Sequence, residues 1–259
     1  MKHQKLLEAL QKAEKTRVAI GPVSDMVPGG LTLDEAKAIA EEGVRQRLEK
    51  GEKMSGYKVG FTNIAVRQKM GLPGSTYGYI LDTMVLKSGD VCRMDELIAP
   101  KIETEICFRL KKRLSASDLT VEKVMKATEG VRPAFEICDA RIKDWKCPYP
   151  DFFADNGFSA RIVLGGDGWT NAKDIDLREV QDSLYKNGEK IAEGKGSNAL
   201  DHPANAVIWL AQELAKRGRI IDAGELVMTG TLTPILPVSR NDKYRAAFSQ
   251  LGEVTVSFV

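Results

Sequence analysis

The chain has 259 residues, a mass of 28.5 kDa and a formal net charge of +2, from 38 basic and 36 acidic side chains. That length can bury a sizeable core in one large domain, or in one domain with a helical extension, without covalent cross-links. The balanced charge gives no indication of a nucleic-acid partner, and the charged N-terminus and short apolar runs predict neither a secretory signal nor a membrane span.

The cysteines give information about metal binding and cellular compartment. They contain no C-x-x-C pair, which argues against a zinc ribbon. We therefore expect a cytoplasmic protein with reduced thiols at Cys92, Cys107, Cys138 and Cys147.

Two helices are predicted within residues 1–55, which we interpret as a small helical N-terminal region. The first, over residues 4–15, follows from the helical spacing of Leu6, Leu7 and Leu10. Thr32 and Glu35 then form the T-x-x-E pattern of a capping box, which predicts the start of the second helix. This helix is expected to end before Gly51, because glycine favours a helix stop.

Short strand-like runs separated by glycine and proline turns dominate residues 56–259, the predicted main domain. A helix interrupts them over residues 203–217, with Pro203 in its first turn and Gly218 at its end. Regular alternation of strands and helices is absent, which argues against a Rossmann fold or a TIM barrel. The sequence therefore predicts an α+β fold. Because G-x-G-x-x-G and G-x-S-x-G motifs are also absent, neither a dinucleotide site nor serine hydrolase chemistry is predicted.

The stretch PKIETEICFRL, residues 100–110, places two acidic residues in an otherwise apolar strand. Side chains alternate between strand faces, so Glu103 and Glu105 share one face, roughly 7 Å apart along the backbone. Glu136 repeats the pattern in the apolar run PAFEICD. Buried carboxylates cost several kcal/mol unless a cation compensates them, and hard divalent cations prefer carboxylate oxygens. The three glutamates are candidate metal ligands, although the pattern alone fits the solvent face of amphipathic strands equally well.

A series of motifs in a fixed order carries a family resemblance. They are GYKVGFT (56–62), YGYILD (77–82), PKIETEICF (100–108), FEICDARIKDW (135–145), ADNGFSARIVLGG (154–166), NALDHPANAVIWLA (198–211) and VMTGTLTPILPV (227–238). The chain resembles the 2-hydroxypentadienoate (2-oxopent-4-enoate) hydratase and 4-oxalocrotonate decarboxylase group of the fumarylacetoacetate hydrolase superfamily. The resemblance implies a β-rich roll of mixed sheets with flanking helices as the catalytic domain, a helical N-terminal region and a homo-oligomer. It also implies that Glu103, Glu105 and Glu136 bind Mg²⁺ or Mn²⁺.

The resemblance suggests three further catalytic residues. Lys58, in GYKVGFT, is expected to face an anionic substrate and to hold its carboxylate or donate a proton, with a pKa lowered by burial. Asp82 is a candidate for positioning water or moving a proton, with a turn at a strand end as the alternative. Asp155 is expected to contact a metal-bound water or Lys58.

In addition to Lys58, four residues are expected to bind substrate. Phe158 stands beside Ser159 where the family commonly has small residues, which predicts an altered pocket shape. Arg161 is a candidate for binding the distal carboxylate of a diacid, with a surface arginine as the alternative. Thr231 matches a family hydroxyl near the substrate carboxylate, with a turn hydroxyl as the alternative.

The expected activity is metal-dependent hydration of a 2-hydroxy-2,4-dienoate to a 4-hydroxy-2-oxo acid in meta-cleavage catabolism of aromatic compounds. The leading alternative is decarboxylation of 4-oxalocrotonate, because both reactions need the same electron sink. Hydrolysis of a carbon–carbon bond is disfavoured, since His3 and His202 fit poorly as a water-activating pair. A lower alternative is a non-catalytic subunit that associates with a partner hydratase or decarboxylase.

Overall fold

The computed structural model describes residues 3–115 and 118–259. Its helices are α1 Gln4–Thr16, α2 Leu33–Glu49, α3 Ile64–Lys69, α4 Val121–Ala127, α5 Tyr149–Ala154 and α6 Pro203–Ala215. Its strands are β1 Met54–Gly60, β2 Thr76–Leu81, β3 Val85–Lys87, β4 Val91–Cys92, β5 Lys101–Leu110, β6 Thr128–Cys138, β7 Ser159–Leu164, β8 Gln181–Lys186, β9 Glu189–Lys195, β10 Leu226–Met228, β11 Leu236–Pro237, β12 Lys243–Phe248 and β13 Gly252–Phe258.

The predicted starts of α2 and α6 are confirmed by their capping contacts. The Thr32 side chain accepts a hydrogen bond from the Glu35 backbone N–H, and the Glu35 carboxylate accepts one from the Thr32 backbone N–H, which completes the capping box of α2. At the start of α6, Nδ1 of His202 accepts a 3.0 Å hydrogen bond from the Ala204 backbone N–H. His202 therefore serves as a helix cap.

The strands form two mixed sheets, which confirms the predicted α+β class. The larger sheet has the order β2-β1-β10-β5-β6-β7-β3, with β11 also paired to β5; the smaller has the order β4-β13-β12-β8-β9. Strand β13 of the smaller sheet packs against β6 and β7 of the larger one. The division of the chain into residues 1–55 and 56–259 remains a prediction.

The centre of the larger sheet has two chemically different faces. On one face of β5, Ile102, Thr104 and Ile106 are fully buried, in keeping with a packed core. The other face carries the acidic residues of the same strand. Within residues 3–115 and 118–259, no helix combines the length and hydropathy needed to cross a membrane.

Strand register brings the acidic face together from distant parts of the chain. In antiparallel β5 and β6, Glu103 is paired with Glu136, and in β5 and β10, Cys107 is paired with Met228. Met228 is paired in turn with Lys58 of the parallel neighbour β1. Because paired residues on adjacent strands point to the same face, Lys58 shares a face with the glutamates.

Candidate metal centre

Glu103, Glu136 and Cys138 form the centre of the acidic face. One ligand atom from each, a carboxylate oxygen or the sulfur, lies within 4.8 Å of the other two. Sγ of Cys138 is 4.0 Å from Oε2 of Glu103. This spacing allows the three side chains to contact one ion.

Glu105 lies two residues further along β5 on the same face and is fully buried. Its Oε2 accepts a 2.8 Å hydrogen bond from the Gly230 backbone N–H, while its Oε1 accepts none from the described residues. Gly230 has φ +96°, and a Cβ there would lie 1.8 Å from Oγ1 of Thr62. A glycine is thus required at position 230 if its N–H is to reach the carboxylate.

Lys58 supplies the positive charge of the cluster. Its Nζ lies 3.2 Å from Oε1 of Glu136, and the two side chains are 5% and 0% exposed. Even so, neither oxygen of Glu136 accepts a hydrogen bond from the described residues. Buried carboxylate oxygens normally have hydrogen-bond partners, so those of Glu136 and Glu105 have unused capacity to bind a cation.

Crowding of the carboxylates alters their ionisation. Burial raises the pKa of Glu103 to about 7, and the nearby Glu136 carboxylate adds to the shift. Burial also raises the pKa of Glu105 well above its usual value, with further repulsion from Glu136 and Glu103. A divalent cation would compensate these charges, and the oxygen-rich donor set fits Mg²⁺ or Mn²⁺.

The pKa of Lys58 moves in the direction opposite to our expectation. Burial alone lowers it, but attraction to Glu136, and more weakly to Glu103, outweighs burial and raises the pKa above its usual value. The sequence predicted burial but not the short distance to Glu136. At neutral pH Lys58 is therefore an ammonium group suited to holding an anion, and its raised pKa disfavours the alternative role of proton donor.

Ser159 and Phe158 lie at the start of β7, beside the cluster. A register shift pairs Cys138 with Ser159, although its neighbour Ile137 pairs with Arg161. This bulge turns Ser159 towards the acidic face, where its buried Oγ has no hydrogen-bond partner among the described residues. Phe158 is buried and packs its ring 5.1 Å from that of Trp145 and 4.9 Å from that of Phe152. Their contacts with substrate remain predictions.

Arg161 points away from the cluster. It is paired with Ile137, whose side chain is on the face of β6 opposite to Glu136. Its Nη2 donates a 2.9 Å hydrogen bond to Oε2 of Glu96, and its Nη1 donates to the Ala160 carbonyl. This geometry disfavours the predicted contact with a distal carboxylate and fits the alternative of an arginine outside the site.

Asp82 is also remote from the cluster. It is exposed, and its Oδ1 accepts hydrogen bonds from the backbone N–H groups of Lys53 and Thr83. Lys53 precedes Lys58 by five residues, roughly 15 Å along an extended strand. The structure thus favours the turn alternative over the predicted catalytic role.

Asp155 has a partner other than the predicted one. It is buried and bound by the backbone N–H of Arg141, at 2.8 Å, and by the Arg141 guanidinium. Burial raises the pKa of Asp155 to about 7, against the lowering effect of Arg141. The carboxylate that pairs with Lys58 is that of Glu136. Asp155 instead binds Arg141. Asp155 and Ser159 both line a cavity of about 500 Å³ beneath α1 and α2.

Thr231 directly follows Gly230 and is therefore next to the Glu105 contact. Its Oγ1 donates a 2.5 Å hydrogen bond to the Thr233 carbonyl, which is the arrangement of the turn alternative. Its contact with a substrate carboxylate remains a prediction.

Sequence reasoning missed two residues of the cluster, Cys138 and Gly230. Strand alternation from Glu136 already places Cys138 on the acidic face, so this residue was within reach of the sequence pattern. No local signal identifies Gly230, because its role depends on a contact with β5.

Comparisons with known proteins agree with the family resemblance described above. Residues 65–259 match the family model described as fumarylacetoacetate (FAA) hydrolase C-terminal. The chain is 34% identical over 257 residues to 2-hydroxyhexa-2,4-dienoate hydratase of Comamonas testosteroni, covering 98% of this chain and 95% of that protein. It is 32% identical over 263 residues to 2-oxo-hept-4-ene-1,7-dioate hydratase of Escherichia coli, covering 99% and 98%.

A solved structure is similar along the whole chain. It is that of 4-oxalocrotonate decarboxylase from Pseudomonas putida G7, complexed with magnesium and adipate. The two chains superpose with a TM-score of 0.93 at 32% identity, covering 99% of this chain and 98% of the other. Both the fold and the sequence are thus shared with enzymes that carry out two related reactions.

Proposed function

Because the chain belongs to the fumarylacetoacetate hydrolase family, we propose that it is a metal-dependent hydratase of a 2-hydroxy-2,4-dienoate. The product is a 4-hydroxy-2-oxo acid. The observation that carries the proposal is near full-length similarity to hydratases in a chain whose larger sheet places two buried carboxylates, Glu105 and Glu136, on one face with the partly buried Glu103. The proposal includes a role in meta-cleavage catabolism of aromatic compounds, a cytoplasmic location and a homo-oligomer, as the family resemblance implies.

The proposed metal ligands are Glu103, Glu105 and Glu136, with Mg²⁺ or Mn²⁺ as the ion. The support is that one carboxylate oxygen of Glu105 and both of Glu136 are buried without hydrogen-bond partners among the described residues. When bound, the ion supplies a Lewis acid that stabilises negative charge on the C2 oxygen of the substrate. Gly230 keeps Glu105 oriented through its backbone N–H.

Lys58 is proposed to bind the substrate carboxylate. Its ammonium group is buried and already next to Glu136, so it lies where an anion can approach the same centre. Ser159 offers an unpartnered hydroxyl on this face. In the proposed reaction, protonation at C5 of 2-hydroxypenta-2,4-dienoate gives the conjugated ketone, and water then adds its hydroxyl at C4 and its proton at C3.

The test supplies the purified, metal-depleted chain with 2-hydroxypenta-2,4-dienoate, with and without added Mg²⁺ or Mn²⁺. We expect loss of the dienol ultraviolet absorbance and formation of 4-hydroxy-2-oxopentanoate, identified by mass spectrometry. Turnover that persists unchanged in excess EDTA would contradict the metal requirement. The absence of turnover in every metal would reject the hydratase proposal.

Decarboxylation of 4-oxalocrotonate is the second candidate, favoured by the close structural match to such a decarboxylase. The same experiment with 4-oxalocrotonate, followed by CO₂ release, separates the two activities. Release of CO₂ without hydration of either compound would replace the first proposal by the second.

A further inference from the structure

Cys138 adds a sulfur atom to the carboxylate oxygens of the acidic face. It is 3% exposed and lies on the same face of β6 as Glu136. Its Sγ is 4.0 Å from Oε2 of Glu103, and ligand atoms of Glu103, Glu136 and Cys138 are all within 4.8 Å of one another. Thiolate sulfur selects ions such as zinc, whereas carboxylate oxygen suits magnesium and manganese.

The observed distances suit a shared ion. Zinc–sulfur bonds of about 2.3 Å and zinc–oxygen bonds of about 2.1 Å limit the sulfur–oxygen separation on one ion to roughly 4.4 Å. A tetrahedral angle brings the two atoms to about 3.6 Å. The 4.0 Å between Cys138 and Glu103 lies between these values, so a small side-chain movement completes the geometry.

Glu136 provides an independent indication of a cation. Its side chain is fully buried, and neither of its oxygens accepts a hydrogen bond from the described residues. Lys58, with Nζ 3.2 Å from Oε1, neutralises its charge without satisfying its hydrogen-bonding capacity. The free lone pairs of Glu136 are therefore available beside the Cys138 sulfur.

We propose that this centre binds divalent ions in two modes, with Cys138 as the residue that distinguishes them. Mg²⁺ and Mn²⁺ use the carboxylates of Glu103, Glu105 and Glu136. Thiophilic ions, such as Zn²⁺, Cd²⁺ and Co²⁺, bind through Glu103, Glu136 and Cys138, and the thiol proton passes to solvent as the metal–sulfur bond forms. In this second mode Glu105 keeps its hydrogen bond from Gly230. The inference rests on the metal centre of the proposed function.

A consequence is competition between the two classes of ion. Both modes use Glu103 and Glu136, so one ion excludes the other. The thiophilic ion gains a sulfur bond that magnesium does not make, and it therefore displaces Mg²⁺ at a lower concentration.

The test uses the full-length chain, freed of metal, titrated separately with Cd²⁺ and Mg²⁺ by calorimetry and ultraviolet absorption. In the unmodified chain, Cd²⁺ is expected to produce sulfur-to-cadmium charge-transfer absorption and Mg²⁺ none. Cys138→Ala should abolish that absorption and weaken Cd²⁺ binding by about 100-fold, since even an indirect metal contact is worth 10- to 100-fold. Mg²⁺ affinity should change by less than about threefold.

Cys107→Ala is the matched control, because Cys107 is buried on the same side of β5 but donates weakly to the Phe108 carbonyl at 3.7 Å. This variant should keep the charge-transfer band. An unchanged band in Cys138→Ala, or equal losses of Cd²⁺ and Mg²⁺ affinity, would overturn the two-mode proposal. Cys138→Ser repeats the test with a smaller change in packing. Failure of the unmodified chain to bind Mg²⁺ or Mn²⁺ would instead reject the metal centre itself.

Discussion

Glu103 and Glu136 are directly paired across antiparallel strands, with Glu136 fully buried and Glu103 partly buried. Like charges in such positions destabilise a sheet, and here Lys58 compensates only part of the charge. The pair is thus unfavourable for the metal-free protein and favourable for a cation. The predictions below separate these two effects.

Glu103→Gln should reduce Mg²⁺ or Mn²⁺ affinity by about 100-fold or more, because it removes one charged ligand. The metal-free variant should be at least as stable as the original chain, since repulsion with Glu136 is relieved. Calorimetric titration and thermal unfolding measure both effects. Glu129→Gln, at an exposed position, is the control and should leave metal binding unchanged. A destabilised Glu103→Gln with normal metal affinity would contradict the assignment.

Metal-free stability should fall as pH rises from about 4.5 to 7. The pKa of Glu103 is raised by burial from 4.5 to about 7, so the unfolded chain releases its proton before the folded chain does. The unfolded state then binds fewer protons, and the free energy of unfolding declines with pH, by an amount on the order of 3 kcal/mol for this group. Asp155, whose pKa burial raises from 3.8 to about 7, acts with the same sign.

This pH dependence is measured by urea unfolding in EDTA at pH 5 and pH 8. Added Mn²⁺ should stabilise the protein more at pH 8, because protons compete with the metal for carboxylates. Stability that rises with pH in EDTA would contradict the prediction.

Lys58→Met should separate substrate binding from metal binding. Loss of the ammonium group leaves Glu136 buried without its ion-pair partner, which should destabilise the metal-free chain by about 3 kcal/mol. Mg²⁺ affinity should be unchanged or higher, because a positive charge next to the centre is removed. The KM for substrate should rise. Exposed Lys53→Met is the control, and equal loss of metal and substrate binding would oppose a role for Lys58 towards the substrate.

Asp155→Ala should act mainly on stability. It leaves the buried Arg141 guanidinium without its carboxylate, at a cost of about 3 kcal/mol or more in unfolding free energy, measured with urea. Metal affinity of the folded variant should be retained. The exposed Asp82→Ala, which loses only turn hydrogen bonds, should change kcat/KM little. A large drop in kcat for Asp82→Ala at normal stability would restore its predicted catalytic role.

Arg161→Ala should affect monoacid and diacid substrates alike, with small changes in kcat/KM for both. Its guanidinium contacts Glu96 and the Ala160 carbonyl on the side of the sheet away from the carboxylates. The comparison uses 2-hydroxypenta-2,4-dienoate and a dienol diacid. A selective loss for the diacid would show that the sequence-based hypothesis was correct.

Local patterns predicted several features of the fold and of the site. The alternation of β5 correctly placed Glu103 and Glu105 on one face, and the T-x-x-E pattern correctly gave the start of α2. These features depend only on residues a few positions apart. The same reasoning, extended from Glu136, would have identified Cys138.

Features that depend on pairing between strands could not be predicted from the sequence. Ser159 and Arg161 are two residues apart and would share a face in a regular strand, but the bulge opposite Ile137 and Cys138 turns them to opposite faces. The direction of the Lys58 pKa shift likewise depends on its 3.2 Å approach to a carboxylate 78 positions away in the chain, Glu136. Neither relationship leaves a local signal.

The residues of the cluster come from two kinds of segment. Its acidic groups and thiol all come from one adjacent pair of strands, β5 and β6, whereas Lys58, Ser159 and Gly230 come from other segments. Substitutions in those segments can therefore change the surroundings of the proposed metal ligands while β5 and β6 stay unchanged. If β5 and β6 hold the proposed ion, substitutions outside these two strands would be the ones that choose between the proposed hydration and its alternative, decarboxylation.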